Sequence, residues 1–224
     1  MRSHPVFLLL EGRRCVIVGG DGAAAAKAAA CLRAGATVTV VAPEIGPELA
    51  ALAAAGRVDH VARAYRRGDL AGTFLAYAST RDPSLIGDLV AEAESERVLL
   101  NVIDVQQACT FIAPAVVERG ELKLAIGTGG ASPGLSARLR RELESHVGPE
   151  YGPFVAILGA VRRMLADDPA QSGRKGDVVS ALLTSPLLDL VRGGRRDEID
   201  ALLARVAGEG CSLARLGVAL GTDA

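Results

Sequence analysis

CVIVGGDGAAAAKAAACLRAGATVTVVAP, residues 15–43, decides the fold. Its opening run, CVIVGG, is continuously apolar and ends in glycines, as expected of a strand buried on both faces of a parallel sheet. The alanine-rich stretch from about Gly22 to Arg33 reads as a helix, stopped by Gly35. TVTVVAP, 37–43, follows as a second, β-branched strand. Strand, glycine turn and helix in direct succession are what a pyrophosphate requires: amides that can be approached closely, at the positive end of a helix dipole.

The same alternation continues outward. Glu44 to Ala55 is expected to be helical and to end at Gly56, VDHVA to be a weaker third strand, and TFLAYAST, 73–80, a fourth. Asp82 and Pro83 open a helix to Glu96, and VLLNVID, 98–104, is a fifth strand. Strands and helices at this spacing imply βαβ units around a parallel sheet. After Asp104 the pattern changes. FIAPAVVERGELKLAIGT reads as a hairpin turning at Arg119-Gly120, with Leu122, Leu124 and Ile126 alternating against Lys123 and Ala125. GTGGASPG, 127–134, is a loop with Ser132 as cap and Pro133 at the first position of a basic helix through His146. Beyond Gly148 helices are expected over Tyr151–Ala166, Asp177–Arg192 and Asp197–Ala207, with 167–175 a polar loop.

Composition narrows the function classes. The 224 residues suffice for a substantial core, and the net charge of -1 offers no basic field for a nucleic-acid backbone or an anionic membrane. Aromatic residues are only 3%, so stacking platforms for single-stranded nucleic acid are absent too. Cys15, Cys31, Cys109 and Cys211 are scattered without a C-x-x-C pair, as are His4, His60 and His146, so no metal cage is expected. The apolar run in MRSHPVFLLLEGRR is too short for a signal sequence or a membrane span, which places the chain in the cytoplasm.

The glycine fingerprint has two registers. Started at Gly19, its second and third positions fall on Asp21 and Ala24; started at Gly20, they fall on Gly22 and Ala25. The end of the second strand, where ribose recognition is usually decided, is Ala42-Pro43 with Glu44 beyond and no arginine nearby, which favours NAD over NADP. Ser79 and Thr80 end the fourth strand on the rim where such folds bind ligands.

These residues in this order resemble the precorrin-2 dehydrogenase family, the siroheme-synthase module that oxidises precorrin-2 and in some members also inserts iron. The resemblance runs through Pro5-Val6-Phe7, VIVGG with Lys27, VTVVAP, Asp69-Leu70, AST with Asp82, NVID, Phe111-Ile112-Ala113-Pro114 and GTGGASP. Asp21 replaces the usual third glycine, and Ile86 stands where Asn is common. The resemblance implies an α/β protein: a Rossmann-like NAD domain over 1–112, a hairpin-containing dimerisation segment over 113–148 and a helical domain over 149–224. It implies Gly22, Ala23, Pro43 and Glu44 at the dinucleotide, beside Gly19, Gly20, Asp21, Ala42, Ser79 and Thr80, which the glycine turn and the strand ends already place there. It implies Asp104 as the essential acid, its pKa raised by burial so that it can take a proton.

The implied substrate carries eight carboxylates, for which Asn101, Thr128, Ser132, Arg119, Lys123 and Arg138 are candidate partners beside Arg140 and Arg141. Helix N-capping is the commoner role of a serine placed like Ser132, and cations on helices are commonly a solvated face. The expected activity is NAD-dependent oxidation of precorrin-2 to sirohydrochlorin by a homodimer, with Fe2+ insertion as a second activity. The alternatives are a chelatase that has lost its dehydrogenase step through Asp21, and a non-catalytic dinucleotide-sensing module.

Overall fold

The computed structural model of the chain describes residues 3–168 and 172–220. It divides into two compact units: residues up to Ala113 with Gly129–Ala131, and Pro114–Thr128 with the residues from Ser132 onward. In the first unit β1 (Arg14–Val18), β2 (Thr37–Val41), β3 (Asp59–Val61), β4 (Leu75–Ala78) and β5 (Leu99–Val102) form one sheet in the order β3-β2-β1-β4-β5, every pairing parallel. The winding reverses between β1 and β4, which opens a crevice at their carboxyl ends, the place where doubly wound sheets bind ligands.

The continuous apolar character of β1 has a direct cause in the packing. Cys15 and Ile17 enter a core with Ala24, Ala28 and Cys31 of α1 (Gly22–Arg33) and Leu49 of α2 (Pro47–Ala54). Val16 and Val18 enter the opposite core, with Leu89 and Ala93 of α3 (Pro83–Glu96). Both faces are therefore dry, as in other parallel sheets. The alanines of α1 let that helix approach closely enough for Ala24 and Ala28 to be fully buried.

In the second unit β6 (Ala115–Arg119) and β7 (Leu122–Ile126) pair antiparallel, with Gly120 at φ +59° in the turn. The hairpin packs against α4 (Pro133–His146) and α5 (Tyr151–Asp167), yet only Val117 on it is fully buried. A separate helical core joins Phe154, Ile157 and Val161 of α5 to Val178 and Leu182 of α6 (Lys175–Leu183) and Leu187 of α7 (Leu187–Arg192). Ile199 and Leu203 of α8 (Arg196–Ala207) and Leu213 of α9 (Leu213–Leu216) complete it.

The structure departs from the sequence expectations in a few places. The expected helix from Glu44 begins only at Pro47, because Gly46 is held by its amide on the Gly20 carbonyl at 2.7 Å. The expected single helix 177–192 is two, since Pro186 lacks an amide and disfavours helical geometry at Ser185. The polar loop 167–175 falls partly outside the described residues, and Ser172–Arg174 is a 3-10 turn. Among the described residues no helix is long and apolar enough to cross a membrane.

Candidate functional site

The carboxyl edge of the sheet gathers the turns that follow β1, β2, β4 and β5. Gly19, next after β1, has φ +123°, and a Cβ there would lie 2.9 Å from the Ser79 carbonyl oxygen. A Cβ on Gly20 would lie 1.9 Å from the Glu44 carbonyl oxygen. The Gly19 amide donates to Val41 O (3.0 Å) and the Ser79 amide to Val18 O (2.8 Å), so the three loops are laced together. Only glycine fits at these two positions. Gly22 is different: nothing lies within 4 Å of where its Cβ would be, which leaves an open approach to the first turn of α1. The glycine roles are thus shared between the two registers, the positive φ at Gly19 and the open approach at Gly22.

Asp21 is the N-cap of α1. Its Oδ1 accepts from the Ala24 amide at 2.8 Å and its Oδ2 from the Ser79 hydroxyl at 2.6 Å. The Ser79 hydroxyl first, and the Ala24 amide next, hold the Asp21 carboxyl below the usual carboxylate range. Ala23 is exposed on the same turn. Thr80 Oγ1 accepts from the Asp82 amide (3.2 Å), and Asp82 caps α3 through the Ser84 amide (3.0 Å). At the end of β2, Ala42 is buried while Pro43 and Glu44 are exposed. His60 hydrogen-bonds the Ala42 carbonyl oxygen through Nε2 at 2.9 Å, a support for this edge that the sequence reading missed. The cradle closed to any Cβ at Gly19 and Gly20, open at Gly22 and led by a helix N-terminus, fits a dinucleotide pyrophosphate.

Asp104 lies two residues past β5 with φ +62°, the left-handed region. Its side chain is exposed, so the burial expected from the sequence is not found; the turn lifts it off the end of the strand. The turn is closed by the Val105 amide on Val102 O (3.1 Å). From inside, the Cys109 thiol donates to both Val102 O and Val105 O at 3.3 Å. Cys109 was not singled out by the sequence, where it stands as an isolated cysteine. The Asn101 amide nitrogen donates to Phe111 O at 2.9 Å, tying β5 to the loop that returns beside it. Phe111 meets Tyr77 edge-on with ring centroids 5.5 Å apart.

The candidate substrate groups of the second unit are largely engaged. The Arg119 guanidinium donates to Val147 O (2.9 Å) and Glu144 O (3.4 Å), covering the carbonyl end of α4. Lys123 pairs across the hairpin with Glu118 (2.8 Å), Arg138 with Glu142 (2.7 Å) and Arg140 with Glu144 (2.6 Å). Ser132 caps α4 by accepting from the Leu135 amide, and Thr128 Oγ1 donates to Ser132 O at 3.1 Å. Hydroxyls and cations that the sequence offered to a ligand thus shape the loop and its helix.

A family model described as putative NAD(P)-binding matches residues 6–115, and one described as sirohaem biosynthesis protein central matches 119–146. The siroheme synthase of Chromobacterium violaceum is 36% identical over 194 residues, which are 87% of this chain and 41% of that protein. The siroheme synthase of Thioalkalivibrio sulfidiphilus is 34% identical over 198 residues, 88% of this chain and 40% of that protein. The chain spans about two-fifths of the length of these curated relatives. A solved structure described as SirC, precorrin-2 dehydrogenase, superposes with a TM-score of 0.72 at 25% identity, covering 91% of this chain and 98% of that one.

Proposed function

The chain belongs to the family of the siroheme-synthase N-terminal module, and from that premise we propose that it oxidises precorrin-2 to sirohydrochlorin with NAD as the hydride acceptor. The observation that carries the reading is the shared edge: the glycine cradle after β1, Ser79 after β4 and Asp104 after β5 all stand at the carboxyl ends of neighbouring strands. Gly19, Gly20, Gly22 and Ala23 receive the pyrophosphate, and Glu44, the one acid at the end of β2, accepts from the ribose hydroxyls. Ser79 and Thr80 border the crevice. When bound, the nicotinamide supplies the hydride acceptor. Asp104 takes the proton lost as the new double bond forms, and its exposure leaves both carboxylate oxygens accessible to a substrate. Asn101 keeps its amide oxygen for orienting the ligand. Lys123 and Arg138, whose acidic partners are surface groups, are the proposed contacts for substrate carboxylates.

Fe2+ insertion is the second arm of the proposal, with Asp104 accepting pyrrole protons. The homodimer is proposed from the hairpin, whose apolar residues Leu122, Leu124 and Ile126 stay only partly covered by the chain's own helices. The segment 113–148 is the proposed dimerisation element, and the cytoplasm the proposed location. The chelatase-only and sensing alternatives are less well supported, because Gly19, Gly20 and Gly22 keep the close-packed turn and the open approach and the relatives are enzymes by name.

The test is turnover of precorrin-2 with NAD by the purified chain, followed by the appearance of the reduced nicotinamide. Asp104→Asn, folded and still binding NAD, is expected to lose about 10²–10⁴-fold in kcat. Near-normal turnover would remove Asp104 from the chemistry. Sedimentation at micromolar concentration is expected to show a dimer, and a monomer would overturn that part.

A further inference from the structure

We propose that Asp21 is an internal competitor for the pyrophosphate: in the free protein its carboxylate holds donors that the dinucleotide must take over, so NAD binds only as this cap lets go. The proposal rests on the NAD reading above and concerns how the same site is regulated.

The carboxylate is divided between two elements. One oxygen takes the Ala24 amide in the first turn of α1, the other the Ser79 hydroxyl at the end of β4. These elements flank the crevice where the winding of the sheet reverses, so a single side chain spans the mouth of the anion cradle. The backbone cannot make room instead. Gly19 is set against Ser79 and Gly20 against Glu44, each too tightly for even a methyl group, and the Gly20 carbonyl is held by the Gly46 amide. Space beside Gly22 is open and the Asp21 side chain is exposed, so the movable part of the site is that side chain.

A phosphate arriving at this turn meets a carboxylate of like charge. Ser79 and Ala24 keep that group ionised at neutral pH, so the cap is released by rotation of the side chain and not by protonation. Apparent affinity then equals the intrinsic affinity multiplied by the fraction of uncapped protein. An N-cap contact is worth on the order of a five- to tenfold change in an equilibrium. When the carboxylate swings away, the Ala24 amide and the Ser79 hydroxyl become available together.

Calorimetric titration of the full chain with NAD, without precorrin-2, reads this as affinity alone. Asp21→Gly is expected to bind NAD about tenfold more tightly than the wild type. Asp21→Asn keeps a capping side chain and drops the charge, so it guards against loss of folding and is expected to tighten binding by a smaller factor. Equal or weaker binding by both variants, with the wild type binding NAD, would overturn the competitor role. No NAD binding by any of the three would overturn the dinucleotide reading itself, and the competitor role with it.

Discussion

Asp104 occupies the third position of a tight turn with φ +62°, where glycine or asparagine is the relaxed choice and other residues carry strain. Asp104→Gly is therefore expected to unfold no more readily than the wild type and to gain up to about 0.5 kcal/mol, while turnover falls as for Asp104→Asn. Thermal melts beside the oxidation assay check both halves, and a clear loss of stability would show that the side chain holds the turn. That task falls to the Val105 amide on Val102 O, supported by Cys109, whose single thiol proton is shared between Val102 O and Val105 O. Burial pushes this thiol's pKa up, so it remains a donor at neutral pH. Cys109→Ala is expected to lower kcat about tenfold with KM nearly unchanged, as a slackened turn misplaces the carboxylate. Cys109→Ser, which keeps a donor, should recover most of it; equal loss in both would refute the positioning role. The motif NVID made the location of Asp104 legible, but its exposure and backbone strain were not. They belong to a turn closed by the Val105 amide on Val102 O and braced by a thiol five residues further on, and no local pattern records that closure.

Elements with a complete local signal were read to the residue. For α3 and α4 an acid or serine cap precedes proline at the first helical position, and the observed boundaries are the expected ones. β3 was harder, because it is a short edge strand whose neighbours decide its length, and the crossover from β3 to β4 carries no periodic pattern. Buried Glu92 of α3 organises that crossover by accepting from the Gly68 amide (3.0 Å), the Leu70 amide (2.8 Å) and the Tyr65 hydroxyl. Asp69 adds a fork from Arg63 at 2.7 and 2.8 Å and the Arg66 amide at 2.8 Å. The Arg63 guanidinium foremost holds the Asp69 carboxyl below its usual range. A depressed carboxyl contributes stability that is full above the ordinary Asp value near pH 4 and is lost as pH falls toward the folded value. Arg63→Gln is accordingly expected to be less stable than the wild type at pH 7, with the difference shrinking below about pH 4. Denaturant unfolding across that range would show it, and a difference independent of pH would assign the effect to packing.

At the scale of the molecule, the change from alternating strands and helices to a hairpin and helices after Asp104 was legible because the apolar period itself changes. The positions of hairpin residues toward a ligand were not legible. Arg119 looks like a free polar group in a sequence, and only the fold reveals that carbonyls at the end of α4 claim it, whereas the capping role of Ser132 was legible from its place before Pro133. The dinucleotide cradle belongs wholly to the first unit, while the helical core of α5 to α9 is built from its own residues. Binding of NAD and stability of the helical unit should therefore respond to different substitutions. Leu203 is fully buried in the helical core, and Leu203→Ala leaves a cavity that costs about 2–5 kcal/mol. A variant with that loss is expected to unfold its helical unit earlier, seen as a lower-temperature transition in calorimetry. NAD raises the stability only of states that bind it, by an amount set by ligand concentration over Kd. Saturating NAD should thus shift the transition of the first unit and leave the lowered helical transition in place, with Kd for NAD within about twofold of wild type. A large rise in Kd in Leu203→Ala would mean that the cradle draws on the helical unit, and the separation of the two cores would not extend to function.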